Sequence, residues 1–95
     1  MTGQQPRDPR QGLYAISVAA ELVGTGVQNL RVYERRGLVE PARTDGGTRL
    51  YSDHDIRRLR RIAALLAEGL NLAGIAMVLT LEEDNARLRR HLGGG

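Results

Sequence analysis

Cysteine is absent from the 95 residues, and so are tryptophan, phenylalanine and lysine. Without cysteine the chain has no disulfide, no thiol nucleophile and no thiolate zinc site. Its two histidines, His54 and His91, stand far apart, and two imidazoles without converging carboxylates do not make a structural metal site, so neither metal nor cofactor is expected. No apolar run approaches the about 18 residues that a membrane span requires, and the first residues lack the apolar core of a signal peptide. The expected location is the cytoplasm. With three tyrosines as the whole aromatic complement, the interior falls to aliphatic side chains. A single domain this short buries about 60% of its unfolded surface, so its stability is modest unless a partner subunit adds buried area.

What is present is arginine. It supplies all 14 cationic side chains, for a net charge of +3 and a sequence pI of about 10.2. Its flat, five-donor fork fits phosphate oxygens and guanine edges better than an ammonium does. A GC-rich coding sequence would enrich arginine as well, and composition does not separate the two.

The segment "GTGVQNLRVYERRGLVEPARTDGGTRLYS", Gly24 to Ser52, has the G-x-G spacing of a phosphate-binding loop. A dinucleotide fingerprint needs a strand before its glycines. Here Ile16, Ala19, Ala20 and Val23 recur at helical spacing behind Ser17, a good N-cap, and predict a short helix that halts at Gly24. Gly26 can cap a second helix from Val27 to about Arg36, closed by Gly37. The two glycines then form the hinge of a helix-turn-helix. Val27, Leu30 and Tyr33 make the inner stripe of the second helix, while Gln28, Arg31, Val32 and Arg35 share its outer face.

Pro41 stops further helix. "ARTDGGTRLYS" predicts a two-stranded ribbon turning at Asp45-Gly46-Gly47, with Arg43 and Arg49 flanking the turn. Ser52 and Asp55 form a capping box for a third helix with Ile56, Leu59, Ile62, Ala63 and Leu66 inward, ending near Gly69. Asn71 can cap a fourth, with Leu72, Ile75, Val78 and Leu79 inward. Thr80 and Glu83 read as another capping box, opening a final helix to about Leu92. In it Leu81, Asn85, Leu88 and Leu92 make a coiled-coil seam of barely two heptads. The domain plan is therefore a flexible tail over 1–12, a helix-turn-helix and hairpin domain over 13–79, a short coiled-coil helix over 80–92 and a disordered end over 93–95. The fold class is mainly α: four helices and a two-stranded wing, followed by the short C-terminal helix.

This order of elements, with "LRVYERRGLV", "RLYS" and "GLNLAGI" at their spacings, resembles the MerR family of bacterial transcription regulators from about Leu13 to Leu92. "ISVAAELVG", "GLVEPART" and "NLAGI" look most like the heat-shock repressor subgroup, HspR. The resemblance implies a winged helix-turn-helix whose second helix enters the major groove while the wing grips the backbone. It further implies an antiparallel homodimer through the last helix, inverted-repeat operators between promoter elements, and distortion of the bound DNA. On that pattern Arg31 falls at a groove-facing arginine, and Tyr33 at a tyrosine abutting helix and backbone. Arg43 and Arg49 fall at the wing's phosphate anchors, with Tyr51 beside them. Gly26, Asn29 and Val32 depart from the serine or histidine, threonine and aromatic common at those positions, so the operator cannot be borrowed from relatives. Many members continue into a cysteine metal site or a drug-binding domain, and neither stands in this sequence.

Arg31 can read guanine O6 and N7 or pair with Glu34 in solvent; Gln28 and Asn29 can read adenine or accompany the helix start. Arg43 and Arg49 read as phosphate clamps, and Arg35 and Arg36 as split between phosphate and solvent. Arg57, Arg58, Arg60 and Arg61 read as a mostly solvated face. Tyr33 and Tyr51 are partly core, so any DNA contact comes from their hydroxyls. Asn85 either sets dimer register or is simply exposed. The leading expectation is a sequence-specific DNA-binding regulator, repressing rather than activating, dimeric and without a ligand pocket of its own. RNA polymerase or a chaperone are further candidate partners. An architectural or excisionase-like DNA-binding protein, or a protein-interaction module docking through the last helix, are the rival readings. No nucleophile–base pair or convergent carboxylates suggest an enzyme.

Overall fold

The computed structural model describes residues 8–93; the first seven residues of the expected tail and the last two of the expected C-terminal end lie outside them. The elements are β1 (Gly12–Tyr14), α1 (Ile16–Val23), α2 (Val27–Arg35), β2 (Ala42–Arg43), β3 (Arg49–Ser52), α3 (Asp53–Ala67) and α4 (Leu72–Gly93). The described residues fall into two compact units that divide between Arg61 and Ile62, inside α3.

In the first unit the expected ribbon supplies two strands of a three-stranded antiparallel sheet ordered β1-β3-β2. β2 and β3 pair Ala42 with Leu50 and Arg43 with Arg49. The Thr44 carbonyl accepts from the Gly47 amide at 2.8 Å and the Thr44 amide donates to Thr48 at 2.9 Å. Of the two turn glycines, Gly47 alone adopts a positive φ, +87°, as a three-residue hairpin loop ending in a left-handed residue requires. The third strand, β1, was not expected. It pairs Gly12 with Ser52 and Tyr14 with Tyr51. A Cβ at Gly12 would lie 2.9 Å from the Leu50 Cβ, so glycine is what permits that approach. Three residues are too few to show a strand period. Order also begins before Leu13, since the Pro9 carbonyl accepts the His54 amide at 2.8 Å.

Because Tyr14 is held in the sheet, α1 starts directly after it. Its N-cap is Ala15, with no side-chain cap, where Ser17 was expected. The helix ends at Gly24 in the left-handed conformation, its amide bonded to the Ala20 carbonyl. α2 closes on Gly37 (φ +73°), with the amides of Gly37 and Leu38 reaching the carbonyls of Glu34 and Tyr33 at 2.9 Å each, the two bonds of a Schellman motif. At the start of α3 the Ser52 amide donates to Asp55 Oδ2 at 2.9 Å and the Asp55 amide to Ser52 Oγ at 3.0 Å, the reciprocal box read from the sequence. Ala19, Ala20, Leu30, Tyr33, Leu38, Val39, Tyr51, Ile56 and Leu59 are buried in this unit, and so is Pro41.

In the second unit Ile62, Leu65, Ile75 and Leu79 are buried. Leu65 takes the inner place expected of Leu66, which is 36% exposed, because the α3 stripe keeps stepping by threes from Ile56. The helix terminates at Gly69 (φ +96°), and Asn71 Oδ1 then accepts the Gly74 amide at 2.8 Å to cap α4. The expected break at Thr80 does not occur. Thr80 Oγ1 donates to the Ala76 carbonyl at 3.0 Å, its hydroxyl satisfied within a helix that runs on through 22 residues, about 33 Å. No described helix is long and apolar enough to cross a membrane.

Candidate nucleic-acid interface

The glycine turn delivers α2 with its N-cap, Gly26, in extended conformation and no side chain capping the first turn. Leu30 and Tyr33 point inward and are buried, leaving Gln28, Asn29, Arg31, Arg35 and Arg36 exposed and Val32 half-buried. Arg31 leans on Gln28, its Nη1 3.5 Å from the amide oxygen, a distance at the limit of a hydrogen bond. Asn29 is partly committed to the turn, donating from Nδ2 to Thr25 Oγ1 at 2.8 Å.

Glu34, which the sequence reading had offered to Arg31, is engaged elsewhere. Its Oε2 lies 2.7 Å from Arg43 Nη2, and its Oε1 accepts from Arg49 Nε. One carboxylate on α2 therefore holds both arginines of the β2–β3 hairpin. The wing and the exposed face of α2 are one assembly, and Arg31 keeps its charge unpaired among the described residues. Burial pushes the Glu34 carboxyl up, but the hydrogen bonds and charges of Arg49 and Arg43 outweigh it and hold it below the usual carboxylate range. Bonding to Glu34 in turn raises Arg49. Arg43 also donates from Nη1 to the Gly47 carbonyl at 2.9 Å, clasping its own turn. The side chains of Arg43 and Arg49 remain 45% and 29% exposed against 19% for Glu34.

Tyr51 was expected beside the wing arginines, partly core, with any contact coming from its hydroxyl. It is completely buried, and its hydroxyl has no hydrogen-bond partner among the described residues, so it presents no atom to a duplex. Burial raises its pKa, with the Glu34 charge adding to the shift. Tyr33 is 6% exposed, and burial raises its pKa too. Both are core residues of this unit.

Arg57, Arg60 and Arg61 of α3 are exposed and Arg58 is half-buried, and two of the four also bond to backbone carbonyls. Arg58 Nε donates to the Leu38 carbonyl. Arg60 donates from Nε and Nη2 to the Leu22 carbonyl at 3.3 and 3.0 Å, satisfying an orphan oxygen in the last turn of α1. Sequence reasoning missed these roles and that of Glu34, because nothing local distinguishes one arginine of the "RRLRR" run from the next. On α4, Leu81, Leu88 and Leu92 are 64%, 57% and 80% exposed and Asn85 is exposed with them. Met77, 68% exposed one turn ahead of Leu81, lengthens this apolar stripe beyond the expected seam.

Residues 14–82 match the family model for MerR HTH family regulatory proteins. HspR of Streptomyces coelicolor, described as a heat shock protein, is 50% identical over 78 residues, covering 81% of this chain and 52% of its own length. Among solved structures, the transcription regulator PbrR691 from Ralstonia metallidurans CH34, in complex with lead(II), aligns with a TM-score of 0.69 at 31% identity, over 86% of this chain and 71% of its own. HiNmlR, a regulator lacking the sensor domain and bound to promoter DNA, aligns with a TM-score of 0.65 at 26% identity, over 84% and 78%. The chain spans about half the length of the curated relatives it matches.

Proposed function

The chain belongs to the MerR family of helix-turn-helix regulatory proteins, and from that premise we propose that it is a sequence-specific DNA-binding transcription regulator, acting as a homodimer on an inverted-repeat operator. The observation that carries this reading is the Glu34 bridge, which ties the hairpin arginines to the helix that exposes Gln28, Asn29, Arg31 and Arg35. A bare helix face can read base edges, and an adjacent ribbon of arginines can grip phosphate; together they give sequence choice and salt-dependent affinity.

In this reading 13–79 binds DNA, α2 lies in the major groove, and Arg31 reads guanine. The half of α4 beyond Thr80 pairs with a second copy through Leu81, Asn85, Leu88 and Leu92. An apolar stripe this exposed on a long helix supports such a partner. Repression is the proposed sign, on the likeness to HspR. Cytoplasmic location follows from that role.

Selection of bound sequences from a random duplex pool tests the reading. An inverted repeat with a fixed half-site spacing is the expected product. Arg31→Ala should relax the preference at one base pair per half-site, a discrimination of about 1–3 kcal/mol. Retention of the full operator preference by that variant would overturn the assignment of α2 as the reading element.

A further inference from the structure

The two hairpin arginines look equivalent in sequence, one on each side of the turn, but their guanidinium groups are used differently. Arg43 commits both terminal nitrogens, Nη2 to Glu34 Oε2 at 2.7 Å and Nη1 to the Gly47 carbonyl at 2.9 Å. Arg49 commits only Nε, to Glu34 Oε1, and its two terminal nitrogens carry no hydrogen bond among the described residues. With the Nε edge turned to Glu34, the Nη1–Nη2 edge stays open, and that edge matches two oxygens of one phosphate.

We propose that Glu34 is a positioning residue that divides labour within the wing: it presents the open edge of Arg49 to a DNA phosphate and fixes Arg43 as a strut of the hairpin. This rests on the DNA-binding reading above. Both carboxylate oxygens are taken by different arginines, so Glu34 cannot follow one without releasing the other. The wing is thereby registered against α2, and phosphate contact is coupled to the depth of the reading helix. The open edges give the quantitative form. Among the described residues, Arg49 alone of the two has its terminal nitrogens uncommitted, so the wing displaces counterions at about one phosphate rather than two. The carboxyl stays ionised at neutral pH, since the two guanidinium groups hold it below its usual range. The rival arrangement is exchange, in which DNA phosphates displace Glu34 and take both arginines.

The test measures binding of the full chain and of three variants to the duplex selected from the random pool, across a range of salt. Arg49→Ala should flatten the plot of log K against log salt by about 1. Arg43→Ala should lower affinity several-fold at every salt with the slope unchanged. Glu34→Gln should also weaken binding several-fold, with operator preference intact. Equal flattening by Arg43→Ala and Arg49→Ala, or tighter binding by Glu34→Gln, would overturn the proposal in favour of exchange. In the DNA-free protein, the side-chain Nε–H signal of Arg49 should be protected from solvent exchange and lose that protection in Glu34→Gln. An unprotected signal in the parent chain would sink the positioning role whatever binds. If the parent chain shows no preference among duplexes, the regulator reading fails, while the Nε–H measurement still decides the Glu34 contact.

Discussion

Ser52 and Asp55 hold each other's backbone amides, at 2.9 and 3.0 Å, with both residues buried where β3 passes directly into α3. The box therefore fixes the angle at which the wing leaves the helix as well as starting that helix. Ser52→Ala strands the Asp55 amide, and Asp55→Ala strands the Ser52 amide. Each should cost about 1–2 kcal/mol. Urea unfolding followed by circular dichroism should show a lower midpoint at unchanged slope for both variants. The double variant should lose less than the sum, because the two bonds act as one unit.

Arg60 reaches 38 residues back along the chain to the carbonyl of Leu22. Its removal leaves a helix-end oxygen to water rather than burying it, so Arg60→Ala should cost only about 0.5–1.5 kcal/mol. A thermal melt measures that loss. The same variant should leave the salt slope of duplex binding unchanged, which a phosphate-contacting arginine could not do.

Tyr51 carries a buried hydroxyl with no partner among the described residues. Tyr51→Phe keeps the ring's packing and removes the unpaired group, so stability should hold or rise by up to about 1 kcal/mol. A drop of more than that in chemical unfolding would reveal a partner for the hydroxyl. Because burial raises the Tyr51 pKa above the ordinary tyrosine value of 10.0, the folded state binds this proton more tightly than the unfolded chain. Its contribution is complete below pH 10 and is lost as pH climbs through the folded value. Tyr51→Phe should remove that part of the alkaline decline.

The acid side belongs to Glu34. Its folded carboxyl titrates below the ordinary glutamate value of 4.5, so the unfolded chain takes up this proton first as pH falls. The tie to Arg43 and Arg49 should be fully present above about pH 4.5 and be lost as pH drops through the folded value. Carbon-detected NMR titration of the Glu34 carboxyl should report a midpoint below that of an unfolded-chain glutamate. In Glu34→Gln the corresponding slope of stability with pH should be absent.

The sequence by itself determined whatever rests on groups a few residues apart. The Ser52–Asp55 box, the Asn71 cap, the left-handed glycines at 24, 37 and 69, and the hairpin at Gly47 are local free-energy choices, and local residues settle them. They place α2 and the hairpin, which is why the exposed face carrying Gln28, Arg31 and Arg35 was legible. Local signals also mislead in their own way. Thr80 and Glu83 have the spacing of a capping box, yet inside an unbroken helix the hydroxyl bonds the preceding turn instead. Only tertiary structure decided the pairings across long stretches of chain: Gly12 against Ser52, Arg58 with Leu38, Arg60 with Leu22, and Glu34 with arginines 9 and 15 residues away. The reason is degeneracy. Fourteen arginines are chemically alike, and which of them meets a carboxylate, a carbonyl or open water depends on where the packed elements bring its guanidinium to rest.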